Sequence, residues 1–576
     1  MKLIGKLLTW LIVAILVIII ALYLLLQTRW GAGWITGWIN SHSEYHIAFD
    51  KMDHRFSSPA HLELLNVTFG RNGQPATLVA KRVNIGLSSR QLTDPLHADT
   101  ILLQDGTLNL SPDTAALPLQ ADSLRLENMA FNSPRTGWDL SAQRVNGGVA
   151  PWLPKAGKVL GDKANFQISA GSLTLNDIPA SNVLVQGNID GEQVTLSTFG
   201  ADVAQGSMTG NARRSADGGW QVDRLRLNDI RLQSDKTLSA FLYPLTTLAS
   251  LTLEQVDITD ARLQGPDWAV TDLDLSLRDL TLRGDSWQSE DGRLSMNASE
   301  FIVGSVHLFD PIVNADLTPQ GVTLRQFTSR WERGMVRTSG SWLRDGNRLV
   351  LDEVALAGLE YTLPDNWKAL WMQPLPAWLE SLTIGRLSLS RNLIIDIDPT
   401  FPWQITSLDG VGNQLQLVKN RQWGAWSGNA TFNGAAATFN RVDVRNPSIA
   451  FNANASAITV SELSAFAGKG LLEATAVISQ LPGRQAKVSL NGRAVPVNVL
   501  QPWGWPEIPL AGDSNLHLTA SGAISATALL KPSVNARLQV TDSKGQKLEQ
   551  TMRNGEVSSA SAPVSPAPAA NAAPAP

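Results

Sequence analysis

An eight-residue unit with apolar side chains at positions 1, 3, 6 and 8 recurs along this chain and restricts its fold severely. It appears as Leu62-Leu64-Val67-Phe69, Leu124-Leu126-Met129-Phe131, Leu225-Leu227-Ile230-Leu232 and Leu251-Leu253-Val256-Ile258. It returns as Leu275-Leu277-Leu280-Leu282, Leu349-Leu351-Val354-Leu356 and Leu382-Ile384-Leu387-Leu389. Degenerate copies start at Ile101 and Val442. Steps of two are the signature of a half-buried strand. The central step of three breaks that parity, and in a flat strand it would turn the last two side chains to the opposite face. One extra residue, a β-bulge, restores a common face and bends the strand. The middle pairs, such as Glu127-Asn128 and Asp352-Glu353, are polar, as an unpaired bulge requires. A two-residue hairpin is the rival geometry, but it favours Asn-Gly or Asp-Gly, which none of the seven full units carries.

Between the units the alternation continues from about Tyr45 to about Val540. Val83, Ile85 and Leu87 share a face, as do Leu273, Leu275 and Leu277. The irregular spacing of the units excludes a fixed-period solenoid. The expected fold is mainly β: one long, bent and bulged antiparallel sheet that curls into an elongated, taco-like groove. Roughly 25 strands at ~4.8 Å would extend on the order of 100 Å. Three short helices are expected as plugs on the sheet: Asp235 to Leu242 ended by Pro244, a turn around Trp367, Leu370 and Trp371 capped by Asp365, and Glu462 to Phe466 capped by Ser461. The segment 557–576 holds five prolines, eight alanines and no charge, and is expected to be disordered.

Leu7 to Leu26 is a run of 20 residues without a charge, long enough as a helix to cross a hydrocarbon core of ~30 Å. Trp10 and Trp30 suit the aromatic belts, and Lys2 and Lys6 keep residues 1–6 cytoplasmic and export the body, 27–556. A cleaved signal peptide is the competing reading. It needs a shorter apolar core and a small-residue cleavage site, whereas Leu24-Leu25-Leu26-Gln27-Thr28-Arg29 provides none.

Composition narrows the chemistry. Net charge is −4, which gives no drive toward nucleic acid. The absence of cysteine excludes disulfides, thiolate metal sites and a thiol nucleophile. His42, Glu44 and His46 have the wrong spacing for a zincin helix. Asp396 and Asp398 supply two carboxylates where calcium wants six to eight oxygens, so a solvated strand end is expected there. No nucleophile elbow or phosphate loop occurs. No catalytic, cofactor or metal site is therefore expected.

The order of elements resembles a known family. The uncharged anchor and the strand Tyr45–Phe49 lead into His61-Leu-Glu-Leu-Leu-Asn-Val-Thr-Phe69, then Ala80-Lys-Arg-Val-Asn-Ile-Gly-Leu87, then Ile101-Leu-Leu-Gln-Asp-Gly-Thr-Leu-Asn-Leu110. This resembles the opening of the AsmA family of bacterial envelope proteins. The resemblance implies a single-pass inner-membrane anchor, a periplasmic β body, no catalysis and a link to outer-membrane biogenesis. It also implies an apolar groove for phospholipid acyl chains. The expected lining is Leu62, Leu64, Val67, Phe69, Val83, Ile85, Leu87, Leu124, Leu126, Leu225, Leu227, Leu251, Leu253, Leu273, Leu275, Leu277, Leu382 and Ile384. The alternative is a closed core in a non-catalytic envelope assembly factor that modulates outer-membrane protein insertion or localisation through contacts with an outer-membrane or envelope protein partner. Apolar alternation reads the same for a filled and an open groove.

Overall fold

A computed structural model describes residues 2–558, apart from 56, 111–117, 136–137, 156–157, 177, 285, 482 and 525–529. The chain divides into two compact units, Met1–Gly292 and Arg293–Pro576. The described residues contain 35 strands rather than roughly 25. Interruptions raise the number. Tyr45–Ala48 and Lys51–His54 both pair with His61–Arg71 and are separated only at Phe49-Asp50.

The first unit opens with helices α1 (Lys2–Leu26) and α2 (Arg29–His42). Strands β1 (Tyr45–Ala48), β2 (Lys51–His54), β3 (His61–Arg71), β4 (Leu78–Gly86) and β5 (His97–Asn109) follow. Next come β6 (Gln120–Arg135), β7 (Trp138–Ala150), β8 (Lys163–Leu175), β9 (Ile178–Asp190) and β10 (Gln193–Val203). After β11 (Gly206–Arg214), β12 (Trp220–Asn228) and β13 (Arg231–Gln233), helix α3 (Leu238–Thr246) leads to β14 (Leu251–Gln264) and β15 (Trp268–Arg283).

The step of three is built as a crease. In six of the nine units the fifth residue is left-handed: Asn66, Asp105, Asn128, Asp229, Asp279 and Asn446, with φ between 48° and 55°. Asn and Asp tolerate this conformation better than other L-residues, for which it costs ~1–2 kcal/mol. On β6, Leu126 pairs with Gly147 and Met129 with Val145, so three residues oppose two. In the unit at Leu349 the register shifts across Asp352 instead. None of these units forms a hairpin, but a bulge marks only some of them. The register shifts between Leu126 and Met129, across Asp352 and between Arg445 and Ser448, whereas β3 with β4, β4 with β5 and β14 with β15 step by three together without a shift.

Adjacent creases align. Leu64 pairs with Val83 and Val67 with Ala80, so β3 and β4 step by three at the same level. The next pairs are Leu103 with Val83, and Gly106 with Ala80. A Cβ on Gly106 would run into the Val79 carbonyl, so the crease needs glycine there.

The sheet is not antiparallel throughout. β5 and β6 run parallel, as do β12 and β13 with β14. In the second unit Arg348–Ala357 and Glu360–Thr362 pair parallel with Ser381–Asp396. Parallel neighbours need a crossover, and two of the short helices lie in such crossovers rather than plugging an end. α3 starts after Thr237, whose side chain caps it, and runs through Pro244. The second helix is Trp367–Met372, preceded by Asn366 and without a side-chain cap. The third expected helix is a strand, Ala457–Ala467. Its helix-like spacing of Leu463 and Phe466 comes from another bulge, where the register shifts between Val460 and Leu463. At the C-terminus, Val557 and Ser558 belong to a short strand, Glu556–Ser558. Residues 559–576 of the expected disordered tail lie outside the described residues.

The second unit holds two packed clusters. One gathers Leu379, Leu382, Ile384, Leu415, Val418 and Ala430. The other centres on Val495, Trp505, Leu516, Leu538 and Val540. Trp505 Nε1 donates to Gln550 Oε1 at 2.7 Å, with both side chains buried.

Candidate functional site

The aligned creases set four apolar rows across β3 to β6. One row is Leu62, Ile85, Ile101 and Leu124; the next is Leu64, Val83, Leu103 and Leu126. Beyond the crease come Val67, Ala80, Gly106 and Met129, then Phe69, Leu78, Leu108 and Phe131. These rows face a cavity of about 790 Å³, within the ~300–1,000 Å³ of ordinary ligand pockets. Strands β7 to β9 extend the wall through Ala142, Val145, Val149, Ile168, Leu173 and Val185. Met129, on this wall, is 1% exposed.

Segments outside β3 to β9 complete the lining. Trp38 and Ile39 of α2, Tyr45 and Ile47 of β1, Leu96, Leu119, Trp152 and Leu160 all border the cavity. Asn40 fixes α2 against β1 by donating to the Ile47 carbonyl at 3.0 Å and accepting from its amide at 2.8 Å. The Tyr45 ring stacks on Phe69 at 5.5 Å. Trp152 donates its indole N–H to the Val159 carbonyl at 3.0 Å.

Charged groups hold the surrounding loops. His97 is buried and lies 2.8 Å from Asp122, with Arg90 on the same carboxylate at 2.9 Å. The His97 hydrogen bond, followed by the charge of Arg90, keeps the Asp122 carboxyl below its ordinary range. Hydrogen bonds from Lys155 and then Lys158 push Asp162 down to about 2. None of these charged side chains lines the cavity.

Of the expected lining residues, Leu64, Val67, Phe69, Val83, Ile85, Leu124 and Leu126 come together on this cavity. Leu62 packs at its edge. Leu87 lies just beyond β4 and does not border it. Leu225, Leu227, Leu251, Leu253, Leu273, Leu275 and Leu277 sit on β12, β14 and β15, where Leu225 adjoins Val256 and Val256 adjoins Leu277. They form a separate apolar surface of the first unit. Leu382 and Ile384 are buried in a packed cluster of the second unit and line no cavity with the others. Pattern alone treats every apolar face alike, which is why it grouped three environments. The expected lining also omits strand residues of the wall, among them Ile101, Leu103, Met129, Val149 and Ile168, while Trp38, Trp152 and Leu160 sit outside the alternating runs altogether.

The motifs set aside in the sequence have local partners. His42 stacks on Trp38 at 5.2 Å, and Glu44 pairs with Arg71. Asp396 is not a solvated strand end: it is 3% exposed and accepts from Trp367 Nε1 at 3.1 Å and from the Asp398 amide at 3.0 Å. Asp398 pairs with Lys368 at 2.6 Å. This carboxyl lies well below its ordinary range, first through Lys368 and then Thr400.

Leu7, Trp10 and Leu26 all fall in α1. Among the described residues no single helix is long and apolar enough to cross a membrane. Trp10–Leu26 and Arg29–His42 pass by length and composition only as a pair, bent by 81°.

The AsmA family model matches residues 1–546. The chain belongs to the AsmA family. It is 64% identical to the AsmA family protein YicH of Escherichia coli (strain K12) over 559 residues, covering 97% of this chain and 98% of that protein. No solved structure matches it. Membership in the AsmA family implies an envelope-related function, and the cavity lies wholly within the matched residues.

Proposed function

We propose that this AsmA-family protein is anchored in the bacterial inner membrane by α1, with its N-terminus cytoplasmic and its β body in the periplasm. There it holds phospholipid acyl chains in the cavity of the first unit and passes lipid on in outer-membrane biogenesis. The reading assigns no catalysis, no cofactor and no nucleic acid. The observation that carries it is the cavity of about 790 Å³ walled by Leu, Val, Ile, Met and Phe. Burying about ten methylenes there would contribute on the order of 8 kcal/mol, at ~0.8 kcal/mol per methylene. Empty apolar space of this size has no such return.

The second reading, an assembly factor acting on outer-membrane or other envelope proteins through contacts, is favoured by one observation. The clusters around Val418 and around Leu538 in the second unit are filled by protein. Mass spectrometry of the full chain, purified in detergent and washed free of bulk lipid, separates the two. Diacyl phospholipid retained in fixed proportion to protein is expected. Protein recovered folded and lipid-free would overturn the lipid reading in favour of the assembly factor.

A further inference from the structure

Helix α2 has an inverted surface. Its inner face, with Gly31 and Ala32 buried and Ile35, Thr36, Ile39 and Asn40 half-buried, packs on the body. Its outer face carries Trp30, Trp34 and Trp38 at successive steps of four, exposed by 85%, 72% and 62%. Gly33 and Gly37 lie between them, and no Asp, Glu or Lys occurs on the helix. Steps of four place side chains on one side of a helix. A water-facing side is normally charged, whereas tryptophan on an exposed face suits the boundary between headgroups and acyl chains.

The position of α2 points to the same surroundings. Two residues separate it from α1, whose side chains from Trp10 to Leu25, Tyr23 apart, are apolar and exposed. The axes differ by 81°, so a helix following an upright α1 lies nearly flat. Arg29, exposed at the bend, is placed for lipid phosphate. The bend is tightly made: a Cβ on Gly31 would collide with the Leu25 carbonyl, and Thr28 caps the new helix at the Gly31 amide, 3.3 Å away. Tyr23 holds the end of α1 to the body through its hydroxyl, 2.7 Å from His54 Nδ1 and 2.9 Å from the His54 carbonyl. Trp38 and Ile39 of this same helix border the cavity.

We infer that α2 is an interfacial helix whose tryptophan face lies in the headgroup layer of the bilayer that holds α1, seating the cavity rim at Trp38 and Ile39 on that surface as the entry for lipid. The inference rests on the anchored, lipid-holding function proposed above and adds the place of entry. A soluble protein partner on the tryptophan face is the competing occupant. The bilayer is favoured by continuity with α1 and by the lack of charged side chains beyond Arg29.

The chain has no cysteine, so single cysteines can carry a fluorophore. The full chain, labelled at Trp34→Cys or, in α1, at Ile15→Cys, is reconstituted into vesicles of phosphatidylethanolamine with a minority of phosphatidylglycerol. Quenching by nitroxides at the headgroup is compared with quenching at the acyl-chain end. Headgroup quenching at position 34 together with acyl-end quenching at position 15 is the expected result. No quenching at position 34 with quenching retained at 15 would overturn the interfacial helix while leaving the anchor intact. Loss at both positions would overturn the anchor and this inference with it. A Trp30→Ser, Trp34→Ser variant should also take up lipid from the vesicles about tenfold more slowly, yet reach the same final content. An unchanged rate would place the entry elsewhere.

Discussion

The backbone amide of Asn128 donates to the side-chain oxygen of Asn146 on the next strand, at 2.9 Å. The relationship recurs at three other left-handed residues that interrupt long strands. Asp260 donates to Asp274 at 3.0 Å, Arg391 to Asp409 at 2.8 Å and Ala494 to Asn515 at 3.0 Å. All four donors have φ between 49° and 52°. The bulge takes an amide out of the ladder, and the neighbouring strand returns an acceptor to it. Removing that acceptor in Asn146→Ala should cost about 1 kcal/mol, the net worth of an ordinary hydrogen bond. Asn128→Gly should be nearly neutral, whereas Asn128→Val adds left-handed strain of about 1–2 kcal/mol. Hydrogen exchange at β6 and β7 in the full chain reads the order of these variants; equal protection in all three would show that the crease does not depend on this pair.

A buried pair in the second unit makes a sharper demand. Gln550 accepts from the Trp505 indole away from solvent, so Gln550→Leu leaves a donor with no partner. The expected loss is about 1–3 kcal/mol in urea unfolding. Adding Trp505→Phe removes the orphaned donor and should recover part of it, a coupling visible in a double-mutant cycle. Additive losses would mean that solvent reaches the indole.

The crease itself was legible, because polar pairs such as Glu127-Asn128 interrupt an otherwise regular alternation. Its alignment across β3, β4 and β5 was not. The β4 copy, Leu78, Ala80, Val83 and Ile85, uses a small residue where the pattern expects a large one, and β5 uses Gly106. Both are small because strands approach closely at a bend, a tertiary constraint that a single strand's periodicity does not encode. The same limit turned a bulge at Leu463 into an apparent helix, since a step of three serves both. It also hid the parallel pairs, whose crossovers depend on where α3 and Trp367–Met372 return the chain. For the site, alternation found the wall residues Leu64, Val83 and Leu126. It could not find Trp152 or Trp38, which reach the cavity from a loop and a helix, nor tell the cavity from the packed core around Leu382.

Acid should loosen one side of the cavity before the rest. Asp162 accepts from Lys155 and, at 2.8 Å, from Lys158, which also reaches Glu192 at 2.6 Å. The chain between Trp152 and Leu160, both cavity-lining, leads into this carboxylate. Its folded pKa, about 2, lies below the unfolded value near 4. The contribution is therefore fully present above about pH 4 and is lost as pH falls toward 2. Amides around Val159 to Lys163 should exchange faster across that window, and Asp162→Asn should remove the pH dependence by losing the contribution at every pH. A window unchanged in Asp162→Asn would assign the acid sensitivity to another carboxylate.

The cavity and the second apolar surface of the first unit can be told apart by placing the same charge in each. Leu126 is half-buried on the cavity wall, and Leu277 is half-buried on β15 away from it. An aspartate at either position meets apolar neighbours and pays a desolvation cost of about 1–3 kcal/mol, partly relieved by protonation. The stability losses should thus be similar. Their effects on bound phospholipid should differ. Leu126→Asp puts a polar group where acyl chains would lie and is expected to abolish retention while far-UV circular dichroism stays that of a β protein. Leu277→Asp is expected to leave retention unchanged. Equal loss in both variants would mean that lipid occupies the whole apolar face of β3 to β15. Full retention in both would remove the cavity from consideration as the lipid site.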